Sequence, residues 1–529
     1  MYFVVTAIVL LAIATAIQFT GFTTAAIWSV EATALLWAGV YWKKRWIWLA
    51  GLALMALAVG KMLATPGFLS AFQVTQFTAL FNLRAVALAV FAASCALGAW
   101  FFSKVEHTDA FYARRALSYA WVVALFLLMT LEVNDAFRKL IYGAFGEQKV
   151  ALDMYRNMYL AAIWMLYSLP LVYFGLKRQN PPLFLSGIGV ISIAIGLGGA
   201  WAMSYAPIER FAPLANVRAA LLAFLIVGTI LHAMWLAGIR RRYHRLEALL
   251  HFTWGLLLFE LCTVETNDYF RKAMEFSTDT VRAGLVFGRF MTLAAVWMAL
   301  SLPLVRLGLA RKMRPTLYLG LWTLLLSLGM AAVRGIAFDP IENYSFVLNY
   351  RTIIIVLVIA GALIQATWIK YSGQMFGMLY GVLNALRIAI AVLILVLLTA
   401  ETRDYFQKQI FLSSVATSGP GTDVSSLENM KQLCLSGIWL LYSIALMGFG
   451  LWKRNRTIRL ISIALFGITI LKVAFYDLSF LDTVYRIVSF VALGVILLVV
   501  SYLYQRYKAI ILEPTPEFDD RKGKAQIVV

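Results

Sequence analysis

The sequence predicts an all-α fold: a polytopic integral membrane protein with about 16 transmembrane helices, built as four parallel four-helix repeats. Three observations predict it, namely an apolar composition, a series of long apolar runs, and motifs that recur at one period. Hydrophobic residues make up 62% of the 529 residues and charged residues only 14%, with a mean hydropathy of +0.81. Soluble domains carry roughly 25% charged residues, so the composition excludes a soluble globular protein.

Transmembrane helices are predicted wherever about 20 consecutive residues are mostly apolar, because a helix rises 1.5 Å per residue and the hydrocarbon layer is about 30 Å thick. About sixteen runs meet this condition. They are centred on Leu11, Leu35, Leu54, Leu88, Phe126, Trp164, Ile191, Phe224, Leu258, Trp297, Leu325, Val356, Leu395, Trp439, Phe466 and Leu493. Because the number of runs is even, both termini are predicted on the same side of the membrane.

Charge distinguishes the two sides of the membrane. Lys and Arg number 46 against 26 Asp and Glu, a net charge of +20. Loops that follow even-numbered runs hold clusters of basic residues, at 43–45, 114–115, 177–178, 240–242, 311–314 and 453–456. Cytoplasmic loops of membrane proteins are rich in Lys and Arg, so we predict that this side is the cytoplasm and that both termini lie there. The basic excess is therefore assigned to topology, and no nucleic-acid partner is predicted.

Three markers recur along the chain at nearly one period. The first is a Glu followed by Asp after three residues and Phe after five; it begins at Glu132, Glu265 and Glu401, with separations of 133 and 136 residues. The second is a Trp followed by Ser after four residues, at Trp164, Trp297 and Trp439. The third is an Arg at Arg84, Arg218, Arg351 and Arg486, with spacings of 134, 133 and 135 residues. Recurrence of several markers at one period predicts an internal repeat.

The repeat predicts four units of four helices each. The units are residues 1–105, 106–243, 244–373 and 374–510, followed by a short cytoplasmic tail at 511–529. An even number of helices gives every unit the same orientation, so the repeats are parallel and related by an axis along the membrane normal. The first unit is atypical, because Gln18 and Phe19 stand where the other units have Glu and Asp.

The repeated charges are predicted at the extracytoplasmic ends of helices and are the candidate ligand-binding residues. They are Arg84, Arg218, Arg351, Arg486, Glu132, Glu265 and Glu401, with Lys472, Asp477 and Asp482 near the last arginine. In units two to four the Glu is expected to close the first helix and the Arg to open the fourth, 85 or 86 residues later. This spacing predicts the ion pairs Glu132–Arg218, Glu265–Arg351 and Glu401–Arg486. Two interpretations stay open: the pairs lock helices together, or the arginines bind phosphate or carboxylate groups in an outer cavity.

Two ionisable residues lie deeper in the predicted spans. Glu260 stands five residues before Glu265, whereas Leu127 and Val396 occupy the corresponding positions before the other two glutamates. An intramembrane carboxylate is by default a functional hypothesis, here an ion or proton site, and the alternative is a Glu hydrogen-bonded to a neighbouring helix. Arg387 is predicted near the inner interface, where its long side chain reaches the headgroups.

Catalytic and metal chemistry find little support in the sequence. It contains no phosphate-binding glycine loop with GKS or GKT and no HExxH, CxxC or GxSxG motif, and its three cysteines show no pairing or metal spacing. We therefore predict no catalytic residue, no metal and no cofactor, and the sequence leans away from an enzyme.

Segments at both ends of the chain resemble a known family. They are residues 16–19 and 28–37, then 437–442, 471–479 (LKVAFYDLS), 481–486 (LDTVYR) and 502–506. These segments are similar to a bacterial family of predicted multi-pass membrane proteins, domain of unknown function 2339. The resemblance implies a multi-pass protein of the bacterial cytoplasmic (inner) membrane, and it implies no activity because the family has none assigned.

The leading functional hypothesis is a non-enzymatic protein that binds or transports an anionic envelope lipid, glycan precursor or small solute at an outer-facing charged cavity. Its expected partners are membrane lipids and a lipid-linked or anionic ligand. One alternative is a membrane glycosyl- or acyl-transferase that uses the outer carboxylates. Another is a structural scaffold for envelope complexes.

Overall fold

The structure, a computed structural model, describes residues 2–69, 74–203, 211–238, 240–337, 344–372, 377–415, 424–476 and scattered positions from 491 to 506. These residues form 15 α-helices and one 3₁₀ turn, Val74–Gln76, and they contain no β-strand. The helices are α1 (Tyr2–Gln18), α2 (Gly21–Tyr41), α3 (Arg45–Ala64), α4 (Leu83–Phe102), α5 (Thr108–Tyr142), α6 (Gly146–Lys177), α7 (Pro181–Ala202), α8 (Val217–Ala237), α9 (Arg240–Glu275), α10 (Asp279–Ala310), α11 (Arg314–Gly335), α12 (Tyr350–Tyr371), α13 (Gly377–Val415), α14 (Val424–Trp452) and α15 (Arg456–Phe475).

The helices coincide with the apolar runs. Each of the first 15 predicted spans lies in its own helix, in chain order, and Leu493, the centre of the sixteenth, lies outside the described residues. Thirteen of these helices are long and apolar enough to cross a membrane. Large apolar side chains on them face outward, such as Leu325 at 65% exposure and Val333 at 71%, which suits a surface that meets lipid. The chain is therefore a multi-pass helical membrane protein.

Several helices extend well beyond the thickness of a bilayer. α5 has 35 residues and α13 has 39, which gives lengths of about 52 and 58 Å against a hydrocarbon layer of about 30 Å. The sequence predicts that Glu132, Glu265 and Glu401 each close a helix, and this prediction is wrong: α5 continues to Tyr142, α9 to Glu275 and α13 to Val415. The apolar run ends before the helix does, because the residues that follow the glutamates are more polar but still helical.

Four helix pairs are joined by the same tight turn. Gly39, Gly175, Gly308 and Gly450 each face the start of the next helix, at Trp48, Phe184, Leu317 and Arg459. Four residues after each glycine the backbone has a left-handed φ, at Lys43 (54°), Gln179 (49°), Lys312 (56°) and Arg454 (48°). The following residue donates its N–H to the glycine carbonyl over 2.8 or 2.9 Å, the closing bond of a Schellman motif. These turns coincide with four of the six basic clusters noted in the sequence.

Replacing Gly175 by alanine is expected to destabilise the protein. A Cβ at Gly175 would lie 2.5 Å from the Phe184 backbone nitrogen, which cannot move aside without separating α6 from α7. We expect the free energy of unfolding to fall by about 1–3 kcal/mol, the usual cost of overpacking. Gly189 on α7 is the matched control: no atom lies within 4 Å of its Cβ position, so Gly189→Ala should be neutral or stabilising by about 0.5–1 kcal/mol. Equal unfolding midpoints for the two variants in detergent micelles would contradict this expectation.

The described chain divides into two compact units, residues 1–265 and 266–529. In the first unit α2 packs against α3 and α4, α6 packs against α7 and α8, and α5 contacts helices of both groups. In the second unit α10 packs against α11 and α12, and α13 packs against α11, α12, α14 and α15. The apolar core of each unit lies between these helices, with fully buried side chains such as Leu225 in the first and Ile355 in the second.

Candidate functional site

In the described part of the chain, most of the buried charged residues gather in three clusters with similar contacts, which we call the Asn–Arg–Glu clusters. The first consists of Asn82, Arg84, Glu132 and Asp135, the second of Asn216, Arg218 and Glu265, and the third of Asn349, Arg351, Glu401 and Asp404. The arginines are 4%, 3% and 0% exposed, and the glutamates 5%, 7% and 7%. Charges buried this deeply are stable only when they are paired and hydrogen-bonded.

In the first cluster Glu132 on α5 binds the loop that leads into α4. Its Oε2 accepts a hydrogen bond from the Leu80 N–H (2.8 Å), and its two oxygens accept from Asn82 Nδ2 (3.0 and 2.8 Å). Arg84 donates from Nη2 to Glu132 Oε1 (2.9 Å) and from Nη1 to Asp135 Oδ2 (2.7 Å). One guanidinium therefore holds two carboxylates that stand about one helical turn apart on α5.

The third cluster repeats these contacts between α12 and α13. Glu401 accepts hydrogen bonds from the Val347 N–H (3.0 Å) and from Asn349 Nδ2 (2.6 Å). Arg351 donates from Nη2 to Asp404 Oδ2, and its Nε lies 3.9 Å from Glu401 Oε1. The asparagine and the arginine–aspartate bond thus match the first cluster, whereas the arginine contacts the glutamate as an ion pair without a hydrogen bond.

The second cluster has the same loop contacts. Glu265 accepts hydrogen bonds from the Leu214 N–H (2.7 Å) and from Asn216 Nδ2 (2.8 Å). Arg218 follows Asn216 by two residues, the spacing found in the other clusters, and its Nη1 donates to the Ala202 carbonyl (3.4 Å). The cluster therefore ties the loop before α8 to α9 and to the end of α7.

Glu401 has two hydroxyl donors in addition to these. Tyr344 Oη donates to Glu401 Oε2 (2.9 Å) and Thr352 Oγ1 donates to Oε1 (3.0 Å). The corresponding positions of the first cluster hold Phe77 and Ala85, which have no hydroxyl. Burial raises the pKa of the Tyr344 phenol, and the hydrogen bond to Glu401 raises that pKa further. The phenol therefore keeps its proton at neutral pH and remains a donor.

Each asparagine is the N-cap of a helix. The side-chain oxygens of Asn82, Asn216 and Asn349 accept from the backbone N–H three residues later over 2.8 or 2.9 Å, a bond worth about 1 kcal/mol. Two residues before the caps, Leu80, Leu214 and Val347 have φ of 64°, 60° and 67°, a left-handed conformation that costs roughly 1–2 kcal/mol for an L-residue. Their N–H groups are the ones that bind the glutamates, so each glutamate stabilises a strained turn.

The arginines also bind the end of the preceding helix. Arg84 Nη1 donates to the Phe68 carbonyl (3.3 Å) and Arg351 Nη1 to the Gly335 carbonyl (3.4 Å), as in the second cluster's bond to Ala202. Ala202 and Gly335 are the last residues of α7 and α11. The final carbonyls of a helix lack partners within it and favour a nearby cation. Each cluster thus joins the end of one helix, or the residues just after it, to the start of the next helix and to the later half of a third.

The ion pairs differ from those that the sequence spacing predicts. Glu132 pairs with Arg84 and not with Arg218, and Glu401 pairs with Arg351, whereas Arg486 lies outside the described residues. The predicted pairs assume that the Glu and Arg of one unit meet. In the structure α4 and α5 are consecutive helices joined by a short loop, so the start of α4 lies beside the later half of α5.

The other predicted site residues lie apart from the clusters. Lys472 near the end of α15 donates to Ser436 Oγ on α14 (2.7 Å). Asp477 and Asp482, the expected neighbours of this lysine, lie outside the described residues. Glu260 is buried on α9 at 5% exposure.

Several cluster members are missing from the predicted site: the three asparagines, Asp135, Asp404 and two lysines. Lys139 Nζ donates to a carbonyl of the loop before α4 (2.8 Å), and Lys408 Nζ does the same before α12 (2.6 Å). The repeat in the sequence could have identified the asparagines and the lysines. Each Glu motif continues to a Lys seven residues after the Glu, and an Asn precedes each of the first three arginines by two residues.

The carboxylates of the clusters are occupied by donors of the chain itself. Glu132 and Glu401 each accept hydrogen bonds on both carboxylate oxygens from groups of the chain itself. Within the described ranges, no three His, Cys, Asp or Glu side chains are placed to hold a metal ion. Among the described residues Arg84 Nε and Arg351 Nε have no hydrogen-bond partner, so the network is satisfied at its glutamates but not at every donor. Buried polar networks rigidify their surroundings to the extent that they are hydrogen-bonded, so this arrangement is suited to fixing helix ends.

Three grooves lie between helices that share a predicted unit. One of about 420 Å³ lies between α2 and α4, one of about 210 Å³ between α6 and α8, and one of about 310 Å³ between α10 and α12. The first two are lined almost wholly by apolar side chains, and the third includes Arg306 and Trp368. All three lie between the second and fourth helices of a predicted unit.

The fold and the clusters define a class, the multi-pass helical membrane proteins with buried charge networks near helix ends. The profile of a family described as "Predicted membrane protein (DUF2339)" matches residues 316–507. The matched range contains the third cluster, and it confirms the family resemblance over this part of the chain. No curated protein and no solved structure matches the chain significantly.

Proposed function

We propose that the chain is a protein of the bacterial inner membrane, built from four parallel four-helix repeats, with both termini in the cytoplasm. The proposed units are residues 1–105, 106–243, 244–373 and 374–510. The repeat is supported by the tight glycine turn, which occurs four times, and by the Asn–Arg–Glu cluster, which occurs three times. The orientation is supported by the basic residues of those four turns, since basic loops favour the cytoplasmic side.

The proposed orientation can be tested by labelling single cysteines with a membrane-impermeant thiol reagent. Gly143 lies after α5, and Gln179 lies in the turn between α6 and α7. In a background without the three native cysteines, Gly143→Cys should react in intact cells with an opened outer membrane. Gln179→Cys should react only after the inner membrane is permeabilised. The reverse pattern would contradict the orientation.

The function that the geometry supports best is structural: a rigid membrane scaffold for envelope complexes. One observation carries this proposal, namely that Arg84, Arg218 and Arg351 are at most 4% exposed and donate to groups of the chain itself. An arginine that grips a phosphate or carboxylate ligand must direct its donors into an accessible cavity. These arginines instead hold helix ends and loops in place.

A variant that removes all the charges of one cluster distinguishes a structural role of the cluster from ligand binding by its arginine. The triple variant R351M/E401Q/D404N removes the charges together, and buried ion networks often tolerate such joint replacement. The triple variant must first be shown to be folded and present at normal abundance. If the cluster is structural, this variant should then restore the wild-type phenotype to a strain that lacks the protein. A folded triple variant that fails to do so would favour ligand binding by Arg351.

A second candidate is binding of an anionic envelope lipid or glycan precursor. It is favoured by the apolar groove between α6 and α8, which begins at Val217, directly before Arg218. Ala220 lines this groove, so Ala220→Trp should fill it and reduce the anionic lipid that remains bound in native mass spectrometry. Ala223, exposed on the same helix and outside the groove lining, is the matched control. Equal lipid retention by the Ala220→Trp and Ala223→Trp variants would exclude this candidate.

A further inference from the structure

One buried carboxyl takes no part in the clusters. Glu260 is 5% exposed, and its Oε1 has no hydrogen-bond donor among the described residues. It lies near the middle of the candidate span Tyr243–Glu275, about 7.5 Å along the helix from Glu265. An ionised carboxylate without donors is very costly in an apolar interior, whereas the protonated acid is much less so.

The Glu260 carboxyl group faces a residue that has no side chain. Gly199 on α7 faces it, and a Cβ at that glycine would lie 3.2 Å from Glu260 Oε2 and 3.6 Å from Leu257 Cδ2. A contact of 3.2 Å is tighter than a normal carbon–oxygen approach, so a larger residue would press on the carboxyl. The glycine therefore makes space for the buried acid.

The chain itself offers two comparisons. Gly199 stands 19 residues before the arginine of its cluster, and the corresponding residues are Thr65 and Ala332. Those two places have Leu127 and Val396 in the position of Glu260. A facing glycine does not by itself mark the place of the acid, because Gly335 on α11 faces Val396, with its Cβ position 2.9 Å from Val396 Cγ1. The feature peculiar to the place of Glu260 is the carboxyl group where the other two places have an aliphatic side chain.

One charged group that acts on Glu260 is Arg218, at the start of α8. The residue of α7 that faces the carboxyl, Gly199, is uncharged. Arg218 also donates to the Ala202 carbonyl, so its charge is shared with the second cluster.

We propose that Glu260 is a proton-binding site within the membrane-spanning part of α9, protonated at neutral pH. This inference goes beyond the scaffold role, because it gives the protein a titratable group where a purely structural span has Leu or Val. It does not depend on the clusters binding any ligand.

Labelling with a hydrophobic carbodiimide tests the proposal. This reagent reacts with protonated carboxyl groups in apolar surroundings: the acid O–H adds across one C=N bond, and an acyl shift to nitrogen gives an N-acylurea that keeps every atom of both reactants. In proteoliposomes at neutral pH, peptide mass spectrometry should find the adduct at Glu260. Above the midpoint of deprotonation, labelling should fall about tenfold per pH unit. Glu260→Gln should abolish the adduct.

Two further measurements keep the proposal open to refutation. Infrared difference spectra should show the C=O band of a neutral carboxyl that Glu260→Gln removes, and this readout does not require reagent access. Glu260→Leu should keep or raise the unfolding midpoint, because Leu stands at the corresponding position 127. Absence of the neutral carboxyl band in the folded protein, or a clear loss of stability in Glu260→Leu, would overturn the proposal. Protection of Glu260 from the carbodiimide by Na⁺ at constant pH would also overturn it in favour of a metal cation.

Discussion

Arg351→Met is expected to lower the free energy of unfolding by about 3–5 kcal/mol, because it leaves buried carboxylates without their counter-charge. Arg351 is 0% exposed, and its guanidinium contacts Asp404, Glu401 and the Gly335 carbonyl. Methionine fills much of the same volume but offers no donor, so the carboxylates must take up protons or draw water into the site. The stability can be measured by unfolding in mixed detergent and dodecyl sulfate micelles, followed by tryptophan fluorescence.

Arg311 provides the matched control for this variant. It is exposed at the end of α10, so Arg311→Met should change the free energy of unfolding by less than about 0.5 kcal/mol. The triple variant R351M/E401Q/D404N should recover much of the loss, since uncharged side chains need no counter-charge. Similar unfolding curves for Arg351→Met and Arg311→Met would show that the buried pair contributes nothing.

Glu401→Ala is expected to cost a similar amount, about 3–5 kcal/mol, and also to release the loop before α12. The Glu401 carboxylate accepts hydrogen bonds from Tyr344, Val347 and Asn349. Without it, Val347 would have to keep a φ of 67° with no bond to hold its N–H. Amide hydrogen exchange at Val347 should therefore accelerate, by about tenfold for each 1.4 kcal/mol of protection lost.

Glu428 on α14 is exposed and serves as the control. Glu428→Ala should leave both the unfolding curve and the exchange of Val347 at wild-type values. If Glu401→Ala destabilised the protein without faster exchange at Val347, the loop would be held by other contacts. The role assigned to this glutamate would then be wrong.

The positions of the helices could be predicted from the sequence because hydropathy depends on composition and not on contacts. Every apolar run in the described ranges is one helix, including runs as different as those of α4 and α13. The helix ends could not be predicted in the same way. Arg138 and Lys139 interrupt the apolar run, yet they have good helix propensity and continue α5 to Tyr142.

The cluster arginines and glutamates could also be predicted, because their period is visible in the sequence. Their partners could not. Glu132 has one repeated Arg 48 residues before it and another 86 residues after it, and similar separations recur along the chain. Periodicity alone therefore does not show which of the two arginines pairs with Glu132. The choice follows from the short connection between α4 and α5, which brings Arg84 beside Glu132. The Asn two residues before the arginine was an available N-cap signal.

The observed pairing gives the clusters a definite place in the proposed repeat. Arg84 lies in the proposed unit 1–105 and Glu132 in 106–243, and likewise Arg351 lies in 244–373 and Glu401 in 374–510. Each of these two clusters therefore joins the fourth helix of one proposed unit to the first helix of the next. In repeat proteins, stability comes largely from such nearest-neighbour interfaces. The buried charges are thus placed where a scaffold built from repeats needs its strongest connections.

The coupling energy between Arg84 and Glu132 tests this pairing most directly. A double-mutant cycle with Arg84→Met and Glu132→Gln removes each partner singly and then both. We predict a coupling of about 1–3 kcal/mol for this pair, because the side chains are in contact, and a coupling within about 0.5 kcal/mol of zero for the same cycle with Arg218→Met. Glu132 coupled to Arg218 and independent of Arg84 would contradict the structure and restore the pairing that the sequence spacing predicts.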